Sequence, residues 1–217
     1  MHSFSALQQV FGKYLAEQQL LREPTALYEP FQYIMQMGGK RMRPIMCLMA
    51  CQCFDQDVSK ALPAALSVEI FHNFSLVHDD IMDAADQRRG HPTIHTKYGL
   101  NSGILVGDVM LIYAYDYLNN SPLKSAIGDM VNTLSKVAIK VCEGQQYDVD
   151  FERRNDVSLE EYLLMIEMKT AALLAGSLEL GALAAGAPPK DVHHLSEFGR
   201  LTGIAFQIQD DFLDTFG

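Results

Sequence analysis

Apolar residues return every three or four positions along most of the chain. The stretch ALPAALSVEIFHNFSLVHDDIMDAA, residues 61–85, puts Leu62, Leu66, Ile70, Phe74, Val77 and Ile81 on one stripe, the period of a helix with one buried face. SLEEYLLMIEMKTAALLAGSLELGALAAGA, residues 158–187, opens with Ser158 and Glu161 in capping-box spacing and predicts a long helix. PKDVHHLSEFGRLTGIAFQIQDDFLDTFG, residues 189–217, starts at a proline and again recurs every three to four. Helix breakers fall between the segments at Gly38-Gly39, at Gly90 with Pro92, from Asn119 to Pro122, and at Pro188-Pro189. No stretch alternates convincingly as a strand, and there is no short-period repeat. The pattern predicts an all-α chain of several long helices with short connections.

Composition narrows the function. At 217 residues and 48% hydrophobic the chain can bury a core and is expected to form one domain over 1–217. A net charge of −10 argues against nucleic acid as a partner, because a phosphate backbone requires a basic face. It leaves small anions open, since local cations or a bound metal outweigh the global sign. The first twenty residues break their apolar positions with Gln, Lys and Glu, unlike a signal peptide. The weakly polar stretch at 171–187 carries Glu179 among many Ala and Gly, which predicts a closely packed helix and no integral membrane segment. Cys47, Cys51 and Cys53 lack a second pair or nearby His for metal spacing, so buried free thiols and a cytoplasmic location are expected.

Against this background two acidic clusters stand out. Asp79, Asp80 and Asp83 end one apolar helix, and Asp210, Asp211 and Asp214 repeat the same DDxxD spacing near the end of another. Residues four apart share a helix face, so Asp79 and Asp83 repel each other and both meet the negative end of the helix dipole. Such an arrangement calls for an offsetting positive charge. The EF-hand pattern is absent, whereas magnesium takes few carboxylates, keeps waters and draws its other ligands from phosphate oxygens. Cations accompany the acids: Lys40, Arg41 and Arg43 after the Gly38-Gly39 break, Arg88 and Arg89 just past the first cluster, and Lys169 beside Thr170 in an apolar stretch. Guanidinium forks suit a second diphosphate held without metal.

HDDIMDAADQRRGHPTIH, GGKRMRP, CEGQQYD, MKTAALLAGS and FQIQDDFLD resemble, in motif and order, the trans-isoprenyl diphosphate synthases, the polyprenyl synthetases that include farnesyl and geranylgeranyl diphosphate synthases. The resemblance runs from about residue 30 to the end of the chain. It implies an antiparallel helical bundle around a deep central cavity, usually a homodimer. It further implies magnesium-dependent head-to-tail condensation of isopentenyl diphosphate with an allylic diphosphate, giving an all-trans product. By resemblance Asp79 and Asp83, with Asp80 nearby, and Asp210, backed by Asp211 and Asp214, carry up to three magnesium ions. Arg88, Lys169 and Gln207, with Thr170 beside Lys169, hold the allylic diphosphate. Lys40, Arg43, His72 and Arg89 hold isopentenyl diphosphate, with Arg41 in the same motif. Asp79, Asp83, Arg88, Lys169 and Asp210 form the implied catalytic set.

The implied chemistry is loss of diphosphate from the allylic substrate, attack by the double bond of isopentenyl diphosphate, and loss of a proton, all shielded from water. Phe74, five residues before Asp79, and Phe71 below it are expected to form the floor that limits the product to fifteen or twenty carbons, leaning to twenty. Members of the family continue well past the second aspartate motif, whereas this sequence ends at Gly217, so the closing C-terminal helices are expected to be missing. Two other readings stay open: a non-catalytic subunit of a heterodimeric synthase, and a terpene cyclase, which shares the ionisation but has no need of a second diphosphate cluster.

Overall fold

A computed structural model describes residues His2–Phe216; Met1 and Gly217, the two ends of the expected domain, lie outside the described residues. The helices are α1 (Phe4–Ala16), α2 (Thr25–Gln36), α3 (Met42–Gln52), α4 (Leu62–Met82), α5 (Ile94–Tyr98), α6 (Leu100–Asn119), α7 (Ile127–Phe151), α8 (Leu159–Ile166), α9 (Ala172–Ala184) and α10 (Pro189–Phe216). The fold class is all-α, as the periodicity predicts. One small departure is a two-stranded antiparallel hairpin, β1 (Gln87–Arg88) and β2 (His91–Pro92), pairing Gln87 with Pro92 and Arg88 with His91. Its strands are too short for alternation to show. Its turn is made by Arg89 and Gly90, with φ of 53° and 77°, the positive values at both central positions that a type I′ turn requires.

The chain separates into two compact units. One comprises His2–Ile45 and Leu62–Asn120; the other comprises Met46–Ala61 and the chain from Ser121 onward. In the first, α4 and α6 run antiparallel: Ser67 donates to the carbonyl of Ala114 near one end, while Gly103 lies against Ile81 near the other. Leu66, Ile70 and Phe71 of α4 and Val106 and Met110 of α6 are fully buried. Each such side chain contributes about 1.5–3 kcal/mol relative to exposure.

In the second unit, α7 packs antiparallel to α9, and α9 antiparallel to α10. Thr133 meets Glu179, and Glu179 meets Ser196, through hydrogen bonds of 2.6 and 2.9 Å. The predicted capping box at Ser158 forms in full, with Ser158 accepting from the Glu161 amide and Glu161 accepting from the Ser158 amide. The helix it starts is interrupted by one π-helical stretch, Glu167–Ala171, before α9. A π turn inserts an extra residue into the helical repeat. Two glycines press on it: a Cβ at Gly144 of α7 would lie 2.3 Å from the amide nitrogen of Lys169, and one at Gly203 of α10 would lie 2.5 Å from Cα of Ala171.

Candidate active site

In the first unit the Gly38-Gly39 break forms a loop wrapped around arginines. Gly38, Gly39 and Arg41 all have positive φ, at 77°, 123° and 51°. The glycines tolerate this at no steric cost, whereas a left-handed arginine is strained by about 1–2 kcal/mol. Arg41 is fastened at its far end: one Nη donates to buried Glu69, and the other donates to the carbonyl of Met35 at 2.5 Å. Arg89 donates to the carbonyl of Gly38, and its guanidinium fills the space a Cβ at Gly39 would need, 2.7 Å away. Arg43 contacts His72 Nε2 through Nη1 at 3.2 Å, and its own buried Nε has no partner. Burial, and then Arg43, Arg89, Arg88 and Arg41 in that order, hold the His72 imidazole well below its ordinary pKa of 6.5, so it is neutral. Lys40 sits exposed beside these groups, its carbonyl accepting from Gln8 at 3.1 Å. Four guanidiniums therefore gather around a neutral imidazole with Glu69 and Asp80 as the buried carboxylates paired to them. The excess of positive charge, with an unused buried donor, suits an anion.

The first aspartate cluster ends α4. Asp83 donates its amide to the carbonyl of Asp79 at 2.9 Å, which keeps the two on one face past the last helical residue. Ala84 is left-handed, with φ of 49°; its amide reaches Ile81, and that of Ala85 reaches Asp80. This is a Schellman stop with alanine where glycine is usual. Asp79 is half-buried and Asp83 exposed. Asp80 points elsewhere: it is 1% exposed and takes both Nε and an Nη of Arg88, at 2.8 and 2.7 Å, leaving its second oxygen buried without a partner. The hairpin thus brings Arg88 back onto the helix end and sends Arg89 to the glycine loop.

The second unit places the remaining candidates on the π turn and on the helix beside it. Lys169 donates to Asp148 of α7 at 2.5 Å, so a carboxylate is the partner that a lysine in an apolar stretch demands. Thr170 donates to Gln207 at 2.9 Å, Gln207 to Asp211 at 2.8 Å, and Tyr162 to the other oxygen of Asp211 at 2.5 Å. Burial, and then the hydrogen bond to Asp211, push the Tyr162 phenol up to about 12. Asp210 and Asp214 are exposed on the same stretch of α10. A neighbouring groove of about 400 Å³, lined among others by Lys136, Lys140, Glu179 and Arg200, contains neither Lys169 nor any of these aspartates.

Phe71 and Phe74 lie on α4 below the first cluster, buried and edge-to-face at 5.4 Å, with His78 edge-on to Phe74 at 5.0 Å. Sequence reasoning missed three residues that engage the candidates: Glu69, Asp148 and Tyr162. A single acid inside the apolar stripe of α4 is a signal for Glu69, and Asp148 closes the CEGQQYD motif. Nothing in the pattern marks Tyr162.

Asp79, Asp83, Asp210, Asp211 and Asp214 fit magnesium by donor chemistry: hard oxygens, exposed or half-buried, at helix ends. Among the described residues no three His, Cys, Asp or Glu side chains gather closely enough to hold a metal ion by themselves. An ion that keeps waters and takes phosphate oxygens does not need that. Among the described residues no helix is long and apolar enough to cross a membrane.

The sequence profile of the family described as polyprenyl synthetase matches residues 24–217. The geranylgeranyl diphosphate synthase of Methanosarcina mazei is 43% identical over 194 residues, covering 88% of this chain and 59% of that protein. A crystallised geranylgeranyl pyrophosphate synthase superimposes with a TM-score of 0.97 at 45% identity, over 100% of this chain and 66% of that one. A geranyltransferase from Helicobacter pylori, crystallised with magnesium and isoprenyl diphosphate, superimposes with a TM-score of 0.89 at 31% identity, over 100% of this chain and 78% of that one. The chain therefore spans about three fifths of the length of the M. mazei relative.

Proposed function

Because the chain belongs to the polyprenyl synthetase family, we propose that it is a trans-isoprenyl diphosphate synthase, joining isopentenyl diphosphate head to tail to an allylic diphosphate. The observation that carries this reading is the cluster of Arg41, Arg43, Arg88 and Arg89 around neutral His72. A terpene cyclase ionises one diphosphate and has no use for a second cationic cradle. A non-catalytic subunit would have no reason to keep both aspartate clusters, and both are present.

In this reading Asp79 and Asp83, and in the other unit Asp210 with Asp211 and Asp214, hold the magnesium ions of the allylic diphosphate. Magnesium, when bound, offsets the charge that grows on the leaving diphosphate. Arg88, Lys169 and Gln207 bind that same group directly, with Thr170 fixing Gln207. Asp80 orients Arg88, and Asp148 orients Lys169. Lys40, Arg43, His72 and Arg89 hold isopentenyl diphosphate with its double bond toward the allylic carbon. His72, being neutral, donates or accepts a hydrogen bond without adding charge. As the allylic carbon–oxygen bond breaks, the double bond of isopentenyl diphosphate forms the new carbon–carbon bond. A proton then leaves the joined product for the departed diphosphate. Apolar walls such as Phe71 and Phe74 exclude water, which would capture the cation. The protein is taken to act in the cytoplasm as a homodimer.

Incubation with magnesium, labelled isopentenyl diphosphate and allylic primers of increasing length tests this. Label in a lengthened prenyl diphosphate is the expected result. A hydrocarbon without label would indicate a cyclase, and no product with any primer a non-catalytic chain. The product is taken to have fifteen to twenty carbons, leaning to twenty, with Phe74 as the floor. Phe74→Ala should lengthen it, and an unchanged product would remove Phe74 from that role.

A further inference from the structure

Glu69 is an anomaly that the reaction does not use. It sits on α4 at 2% exposure, between residues whose side chains are wholly apolar. A carboxylate taken out of water costs several kcal/mol unless it is paired and hydrogen-bonded. Glu69 is both: it accepts from an Nη of Arg41 and, at 2.9 Å, from Asn73, which also donates to the Glu69 backbone carbonyl at 2.8 Å. Arg41 in turn spends its other Nη on Met35, so both arms of its fork point into the protein. Its left-handed backbone persists because both arms are tied, and that backbone shapes the turn presenting Lys40 and leading into Arg43. The charge of Glu69 also acts on Arg43 and Arg89, opposing the fall in their pKa that burial causes.

We infer that Glu69 is the internal counter-ion and positioning residue of the cationic cradle, acting through Arg41, and that Arg41 shapes the cradle instead of binding the diphosphate. Without Glu69 the buried carboxylate paired to this cluster among the described residues would be Asp80, and the left-handed turn would lose one of its anchors. With it, the turn that presents Lys40 and leads into Arg43 is fixed before the ligand arrives, which lowers the cost of binding. The inference rests on the assignment of that cradle to isopentenyl diphosphate made above.

The test uses the full chain and two independent readouts. Glu69→Gln keeps the shape and removes the charge. In the elongation assay it should raise KM for isopentenyl diphosphate about tenfold or more, as loss of a supporting partner does. KM for the allylic primer should change by less than about twofold. Equal rises in both, or no change in either alongside a lowered melting temperature, would overturn the inference. Combining Glu69→Gln with Arg41→Met should be no worse than the more damaging single change, because the two act as one unit. Additive losses would restore Arg41 as an independent ligand and refute the idea. The second readout needs no turnover: calorimetric binding of inorganic pyrophosphate in EDTA, which leaves only the metal-free cradle. Affinity should fall in Glu69→Gln by a similar factor. Pyrophosphate binding that is equal in variant and parent, or absent in both, counts against the inference. An inactive parent whose pyrophosphate affinity still depends on Glu69 would sink the synthase reading while sparing the positioning role. Should Glu69→Gln fail to fold, Asn73→Ala removes one donor to Glu69 and is expected to show the same selective effect in smaller measure; no effect on either readout would overturn it.

Discussion

Ala84 illustrates how much can rest on one backbone angle. It stops α4 one residue after Asp83, in a conformation that costs an alanine about 1 kcal/mol and a glycine nothing. Ala84→Gly should therefore stabilise the protein by about 0.5–1 kcal/mol, part of the gain being returned through the freer unfolded chain. Urea titration checks this, and a loss of stability would show that the Ala84 methyl has a contact of its own. The same angle explains what the sequence left hidden. The acids of the first cluster were legible from their spacing, but an alanine carries no mark of a left-handed stop. Nor does an arginine, and Arg41 and Arg89 adopt the same region. The division of labour within DDIMD was equally hidden: periodicity turns Asp80 about 100° from Asp79, and only the return of Arg88 through the hairpin shows what it meets there.

At the level of elements, helices were legible wherever periodicity and caps agreed. The capping box at Ser158 and the proline start of α10 mark their helices' beginnings as read. The π turn at Glu167–Ala171 was not legible, because one inserted residue only shifts a stripe that is apolar on nearly every side. Its location is decided by packing. Gly144 lets α7 approach the backbone at Lys169, and Gly144→Ala would drive a methyl to 2.3 Å from an amide nitrogen that cannot swing aside. We expect a loss of about 1–3 kcal/mol and, on the proposed role of Lys169, weaker binding of the allylic diphosphate as that residue shifts. Gly128→Ala lies in the same helix with nothing within 4 Å, and should be neutral or stabilising by up to about 1 kcal/mol. Thermal melts of the pair distinguish contact from propensity. If both changes behave alike, packing is not what sets the turn.

For the whole molecule, all-α architecture followed from the chain's period, but which helices meet did not. Stripes say that a face is buried and leave its partner unnamed. The antiparallel pairs α4 with α6, α7 with α9 and α9 with α10 emerge only from contacts such as Ser67 with Ala114 and Glu179 with Ser196. Charge behaves similarly. A global −10 conceals a local cationic cluster whose counter-ions, Glu69 and Asp80, are themselves part of the negative count. In the proposed function, metal dependence is a property of the assembled protein. Magnesium and inorganic pyrophosphate together should raise the melting temperature more than either alone, ligand at a hundred times its Kd contributing about 2.7 kcal/mol. EDTA should abolish product formation and the part of this rise that magnesium adds, leaving the smaller rise that pyrophosphate gives alone. A rise with pyrophosphate that ignores EDTA would assign the anion to the metal-free cradle alone.

The hairpin after α4 sets a constraint of another kind. Adjacent arginines serve separate masters because Arg88 ends a strand and Arg89 begins a type I′ turn. Their identities matter less to this than their count from the helix. A single residue deleted between Asp83 and Arg88 would present Arg89 to Asp80 and leave Gly39 facing Gly90, and one inserted there would present Gln87 to Asp80. The segment should accordingly accept changes of letter at Asp86 or Gln87 and reject changes of length, so that insertions and deletions, more than substitutions, mark the boundary of what this corner of the candidate site can survive.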